Sequence, residues 1–269
     1  MKKLLTAFFA FILLTPARAQ VFSVVLPDSM GKKSLDGRLL LILSNNDRAE
    51  PRFQVNGGPS TQLIFGVDIE NWKPGTAKTI PVSATGYPIE SLKDVPAGEY
   101  YIQAVLHIYE TFHRKDGHIL KLPMDRGEGQ HWNLAPGNFY STPQKIKFNP
   151  HTANIRPIVL DKIIPAIKEP EDTRYVKHIK IQSKLLSEFW GRPIYLGAHI
   201  LLPEGWDAHP DVKYPLAIFH GHFPSDFGDW RTTPADENLK PDTSDRFHIT
   251  GYNKITQEEN YNFYKQLRD

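Results

Sequence analysis

The chain contains no cysteine. That excludes disulfides, thiolate nucleophiles and cysteine-ligated metals, so stability has to come from burial of apolar surface. Only one long hydrophobic run occurs, Leu4–Leu14, and no later segment resembles a membrane span. An excess of one charge is missing too. Lys2, Lys3 and Arg18 lie in the first nineteen residues, so the 32 basic residues fall to 29 beyond that point, against 30 acidic ones. A nucleic-acid partner calls for a strongly basic domain or stripe, and none is present. Repeats and low-complexity tracts are absent as well.

What is present begins with a leader. Lys2 and Lys3 precede the apolar run, Pro16 follows it, and Ala17-Arg18-Ala19 puts small residues at the two positions a signal peptidase reads. Eleven helical residues span only ~16 Å, about half a hydrocarbon core. The expectation is therefore a signal peptide over residues 1–19, a mature chain from Gln20, and a periplasmic or extracellular destination. With no cysteine after the run, a bacterial lipid anchor is excluded.

Composition points to strands: 22 Pro with 15 Phe, 11 Tyr and 5 Trp do not suit a helical bundle. Short β-prone runs occur at Phe22–Leu26, Gly37–Leu43, Leu63–Ile69, Thr79–Val82 and Tyr100–His107, separated by turn-forming clusters such as Asn56-Gly57-Gly58-Pro59 and Lys73-Pro74-Gly75. Asp116-Gly117 reads as a hairpin turn. This spacing predicts an immunoglobulin-like β-sandwich over residues 20–165. The charged, Pro-containing stretch Lys168–Asp172 places a linker at 166–175.

Residues 176–269 have a different grammar. His178–Leu186 and Arg192–Leu202 read as strands. Tyr214–His220 is apolar on both faces, as expected of a strand covered on two sides in a largely parallel sheet. Residues 224–250 read as a polar loop, and Thr256 with Glu259 as a capping box opening a helix to Leu267.

One segment carries chemistry. Leu202-Pro203-Glu204-Gly205-Trp206-Asp207 is followed by Tyr214-Pro215 and a run ending in His220-Gly221. This order resembles the start of the catalytic domain of secreted α/β-hydrolase esterases, the group that includes esterase D and the enterochelin and feruloyl esterases. The resemblance covers 178–269. It implies a mixed architecture, a β-sandwich followed by the first strands of a hydrolase sheet, and a carboxylic ester or polymer-linked ester as substrate. It also implies that backbone amides around Gly221, His222 and Phe223 serve as oxyanion donors, where negative charge develops during acyl transfer. No Gly-x-Ser-x-Gly elbow occurs in the sequence, so the nucleophile is not present and the chain reads as the incomplete, N-terminal portion of such an enzyme, inactive alone.

Other groupings are weaker. His220, His222, Asp226 and Asp229 fall within ten residues but match no metal-ligand spacing, and no metal or cofactor is implied. Trp132, Phe139 and Tyr140 beside Asn133 and Asn138 suit either loop packing or a carbohydrate platform. The second reading belongs to the alternative function, an exported non-catalytic module that binds carbohydrate or protein.

Overall fold

The computed structural model describes residues 22–150, 157–218, 233–244 and 248–268. The proposed leader and Gln20 lie outside them. The described chain is mostly β-sheet with few helices. In order, the strands are β1 (Phe22–Leu26), β2 (Leu35–Ser44), β3 (Leu63–Trp72), β4 (Thr76–Ile80), β5 (Thr85–Tyr87), β6 (Gly98–His113), β7 (Ile119–Pro123), β8 (Phe139–Tyr140), β9 (Gln144–Phe148), β10 (Ile158–Val159) and β11 (Lys162–Ile163). They are followed by β12 (Val176–Gln182), helix α1 (Lys184–Trp190), β13 (Tyr195–Leu201), β14 (Thr243–Ser244), β15 (Ile249–Thr250) and helix α2 (Tyr252–Arg268).

The chain divides into two compact units. One runs through Glu110 and takes in Lys121–Met124 and His131–Ala166; the other comprises Thr111–Leu120, Asp125–Gln130 and the chain from Ile167 onward.

The first unit is built from two sheets, β10-β1-β4 and β11-β8-β6-β2-β3-β5, with β7 and β9 also pairing β6. In β1 the side chains alternate: Phe22, Val24 and Leu26 are buried while Ser23 and Val25 are half-buried. From the facing sheet Leu39, Leu41 and Leu43 of β2 and Ile102, Ala104 and Leu106 of β6 enter the same core, with Trp72, Phe65 and Phe148. Each fully buried large apolar side chain contributes roughly 1.5–3 kcal/mol relative to exposure. Two sheets that each bury one face against the other form a sandwich core. Strand β2 is buried on its second face too, where Leu40 and Ile42 pack with Val105 beneath Val55, Ile64, Trp132 and Tyr140. This second layer explains why Leu39–Leu43 is continuously apolar rather than alternating.

The turns follow their residues. Gly75 adopts φ +79° between β3 and β4 and donates its N–H to the Leu26 carbonyl at 2.7 Å. At the β6–β7 turn, Asp116 Oδ1 accepts from the His118 N–H at 3.2 Å and Gly117 takes φ +85°, so Asp116-Gly117 is the predicted hairpin turn.

In the second unit β12 pairs antiparallel with β13. Three sequence expectations need correction. The strand expected over His178–Leu186 ends at Gln182, because the Ser183 hydroxyl accepts from the Leu186 N–H and opens α1, which Gly191 closes at φ +66°. The last helix starts at Tyr252 rather than Thr256. Asp242 Oδ1 accepts from the Asn253 N–H at 3.0 Å near its start, and the Thr256 hydroxyl donates to the Tyr252 carbonyl inside the helix. Finally, the described part of the expected Tyr214–His220 strand, Tyr214–Ile218, lies in no sheet, with Leu216 80% and Ile218 81% exposed.

Candidate functional site

The segment of interest starts at the β12–β13 hairpin. All seven positions pair, from Val176↔Leu201 to Gln182↔Tyr195. The odd-numbered face carries Ile179 and Ile181 opposite Ala198 and Leu196, and Ile179, Ile181 and Leu196 are exposed. The other face carries His178 directly opposite His199.

Helix α1 joins the strands. Its Phe189 and Trp190 pack against the tip of the β6–β7 hairpin, which belongs to the same unit: the Lys115 N–H donates to the Phe189 carbonyl at 2.8 Å, and the Arg114 guanidinium lies 4.8 Å from the Phe189 ring centre. Phe112 and Trp190 meet edge to face with ring centres 5.4 Å apart.

After β13 the Leu202–Asp207 turn is held at both ends. The Leu202 N–H donates to the Tyr175 carbonyl at 2.7 Å, and Arg174 grips Asp207 through Nε to Oδ2 at 3.1 Å and Nη2 to Oδ1 at 3.2 Å. That carboxylate raises the Arg174 pKa further above its usual value. Gly205 sits at φ +74°. The turn therefore leaves β13 in a defined direction before the stretch to Ile218, which forms neither strand nor helix.

The predicted oxyanion donors Gly221, His222 and Phe223 lie outside the described residues, as do His220, Ser225, Asp226 and Asp229. Among the described residues no group of three or more His, Asp or Glu side chains is arranged to hold a metal ion. No described helix is long and apolar enough to cross a membrane.

The loop aromatics are placed in full. Phe139 is buried in the main core, while Trp132 and Tyr140 cover the second face of β2. Asn138 is 1% exposed; its Oδ1 accepts from the Ile108 N–H and its Nδ2 donates to the Trp132 carbonyl. Asn133 Nδ2 donates to the Arg52 carbonyl. These amides fix the loop to the sheet.

Beneath that loop is a buried polar knot that composition alone does not reveal. Gln103 Oε1 accepts from the Arg52 N–H at 3.0 Å, and its Nε2 donates to Glu50 Oε2 and to the Ser141 carbonyl, each at 2.9 Å. Arg52 Nε donates to Glu50 Oε2 at 2.9 Å, with its guanidinium 4.2 Å from the Phe53 ring centre and 4.3 Å from that of Tyr140. Burial pushes the Glu50 carboxyl up, but hydrogen bonds from Gln103 and Arg52 outweigh it and the net shift is downward. His107 is pushed down by burial alone.

The sequence reading also missed a constellation on β12 and β13. The His178 and His199 rings meet with centres 4.6 Å apart at 78°. Asp172 Oδ1 accepts from the His178 main-chain N–H at 2.9 Å and lies 3.1 Å from His178 Nδ1. Backbone and ring hydrogen bonds from His178 lower the Asp172 pKa. His178 Nε2 is buried with no hydrogen-bond partner. The alternation of both strands was readable, but their register was not.

No protein-family model, curated protein or solved structure matches this chain.

Proposed function

We propose that this chain is part of an exported serine-hydrolase-type esterase, in which an immunoglobulin-like sandwich precedes the opening strands of an α/β-hydrolase sheet. The observation that carries the reading is the order of parts in the second unit. An antiparallel hairpin runs directly into a Leu202–Asp207 turn clamped by Arg174, and an apolar stretch follows. An antiparallel pair at the edge of a mainly parallel sheet is a common arrangement in α/β proteins. The exposed Ile179, Ile181, Leu196, Leu216 and Ile218 supply the apolar surface such a sheet buries.

On this reading the amides of Gly221, His222 and Phe223 stabilise the oxyanion of an ester undergoing acyl transfer, and the serine nucleophile belongs to sequence not contained in these 269 residues. The sandwich then shapes the substrate approach or binds a polymer that carries the ester, and the destination is the periplasm or the medium.

The test has two arms. The 269-residue chain should turn over p-nitrophenyl acetate and butyrate no faster than a heat-killed control, and no serine should take a fluorophosphonate label. The coding sequence following Asp269 should encode Gly-x-Ser-x-Gly, then Asp and His. Stoichiometric labelling of the 269-residue chain, or a following sequence without the elbow, rejects the esterase reading.

A further inference from the structure

We propose that His178 and His199 bind one divalent transition-metal ion between the two strands of the β12–β13 hairpin. The two residues are direct cross-strand partners, a relation that brings Cβ atoms within about 4.5–5.5 Å. Asp172 Oδ1 lies 3.1 Å from Nδ1 of His178, so Nε2 is the ring nitrogen that the carboxylate leaves for another partner. His178 Nε2 is buried with no hydrogen-bond partner, and a buried polar atom without a partner calls for a water or an ion. A carboxylate on the far nitrogen of a metal-ligating histidine is the usual second partner that fixes its tautomer and raises its basicity.

The geometry suits an ion. Metal–nitrogen bonds of about 2.0–2.1 Å at a tetrahedral angle put two imidazole centres roughly 5 Å apart, close to the 4.6 Å between these rings. With two protein ligands rather than three, water completes the coordination. Imidazole nitrogens select copper, nickel or zinc over magnesium or calcium, which prefer oxygen.

The full chain, without an affinity tag, is titrated calorimetrically with Cu²⁺, Ni²⁺ and Zn²⁺. One ion per chain is expected, with copper tightest. His178→Gln and His199→Gln should each weaken binding at least about tenfold, and Asp172→Asn roughly 10–100-fold. A His220→Gln/His222→Gln variant should bind like the parent. Electron paramagnetic resonance of the parent with one equivalent of Cu²⁺ should show two equatorial nitrogens, a readout that stands even if a variant fails to fold. Absence of binding, parent-like binding by the His178→Gln/His199→Gln double variant, loss of binding in the His220/His222 variant, or an all-oxygen copper spectrum each overturns the site.

Discussion

Gln103 ties together main-chain and side-chain groups inside the sandwich. It is fully buried, and its amide serves the Arg52 N–H, the Ser141 carbonyl and the Glu50 carboxylate at once. Gln103→Leu keeps the volume but leaves a buried main-chain donor and a buried carbonyl without those partners. Each unsatisfied group costs about 1–3 kcal/mol, and the added apolar contact recovers about 1 kcal/mol. The net loss is about 1–5 kcal/mol, which lowers Tm by roughly 3–15 °C for a unit of this size. Gln103→Glu separates the terms. It still accepts from Arg52, but it brings a second carboxylate to Glu50 and loses both donors. At neutral pH it should be at least as damaging as leucine. Two carboxylates sharing a site raise the pKa of one of them, so below about pH 5 the new carboxyl takes a proton and can donate to the Ser141 carbonyl. Its deficit relative to the parent should therefore shrink on acidification, whereas that of Gln103→Leu should not shrink in the same way. Scanning calorimetry of the full chain at pH 8 and pH 4.5 measures both. A Gln103→Leu melt within about 1 °C of the parent, or a Gln103→Glu deficit independent of pH, refutes the account of the knot.

Two further outcomes follow from the same unit. Glu50 and Asp36 both have lowered carboxyl pKa values; for Asp36 the Asn71 N–H is the first cause, against burial and with help from Lys121. Groups lowered on folding contribute stability that is present above their unfolded pKa and lost as pH falls through the folded one. Tm should therefore fall as pH drops below the ordinary carboxyl range, and Glu50→Gln with Asp36→Asn should flatten that fall in a pH series of melts. Gly37 is buried on β2, where a Cβ would overlap the His107 carbonyl oxygen and lie 3.1 Å from the Ile108 Cα, both backbone. Gly37→Ala should cost about 1–3 kcal/mol by urea unfolding, and a parent-like midpoint would show that β2 and β6 can separate freely there.

The longer strands of the sandwich were legible because their residues are locally committed. Phe22–Leu26 alternates and is bounded by Pro27, and Tyr100–His107 lies within the longer β6. The short strands β8, β10 and β11 are two residues each and exist because neighbours pair with them: Phe139 and Tyr140 are strand residues through partners on β6 and β11. No local pattern encodes that. The double burial of Leu39–Leu43 was equally hidden, since its cover comes from Trp132 and Tyr140, about ninety residues on in the chain. The turn Leu202–Asp207 was visible in its Pro and Gly, but its clamp from Arg174 was not, because that contact depends on the hairpin between them. Pairing of His178 with His199 likewise needs the register across α1, and twelve intervening residues do not fix a register by themselves.

Polar chemistry is distributed unevenly between the two units, and this bears on where function resides. In the first unit the buried polar side chains are spent on main-chain groups or on one another: Arg52 on Glu50 and the Asn133 carbonyl, Asn138 on Ile108 and Trp132, Ser141 on the Ala104 N–H. Side chains so committed hold loops in place and offer no valence to a ligand. In the second unit His178 Nε2 is buried with no hydrogen-bond partner, and Ile181, Leu196 and Leu216 are more than half exposed. Groups left unsatisfied and apolar surface left open carry a cost that packing alone does not offset. Substitutions among the first unit's polar residues should thus register in melting curves, while those on the hairpin face should register in binding.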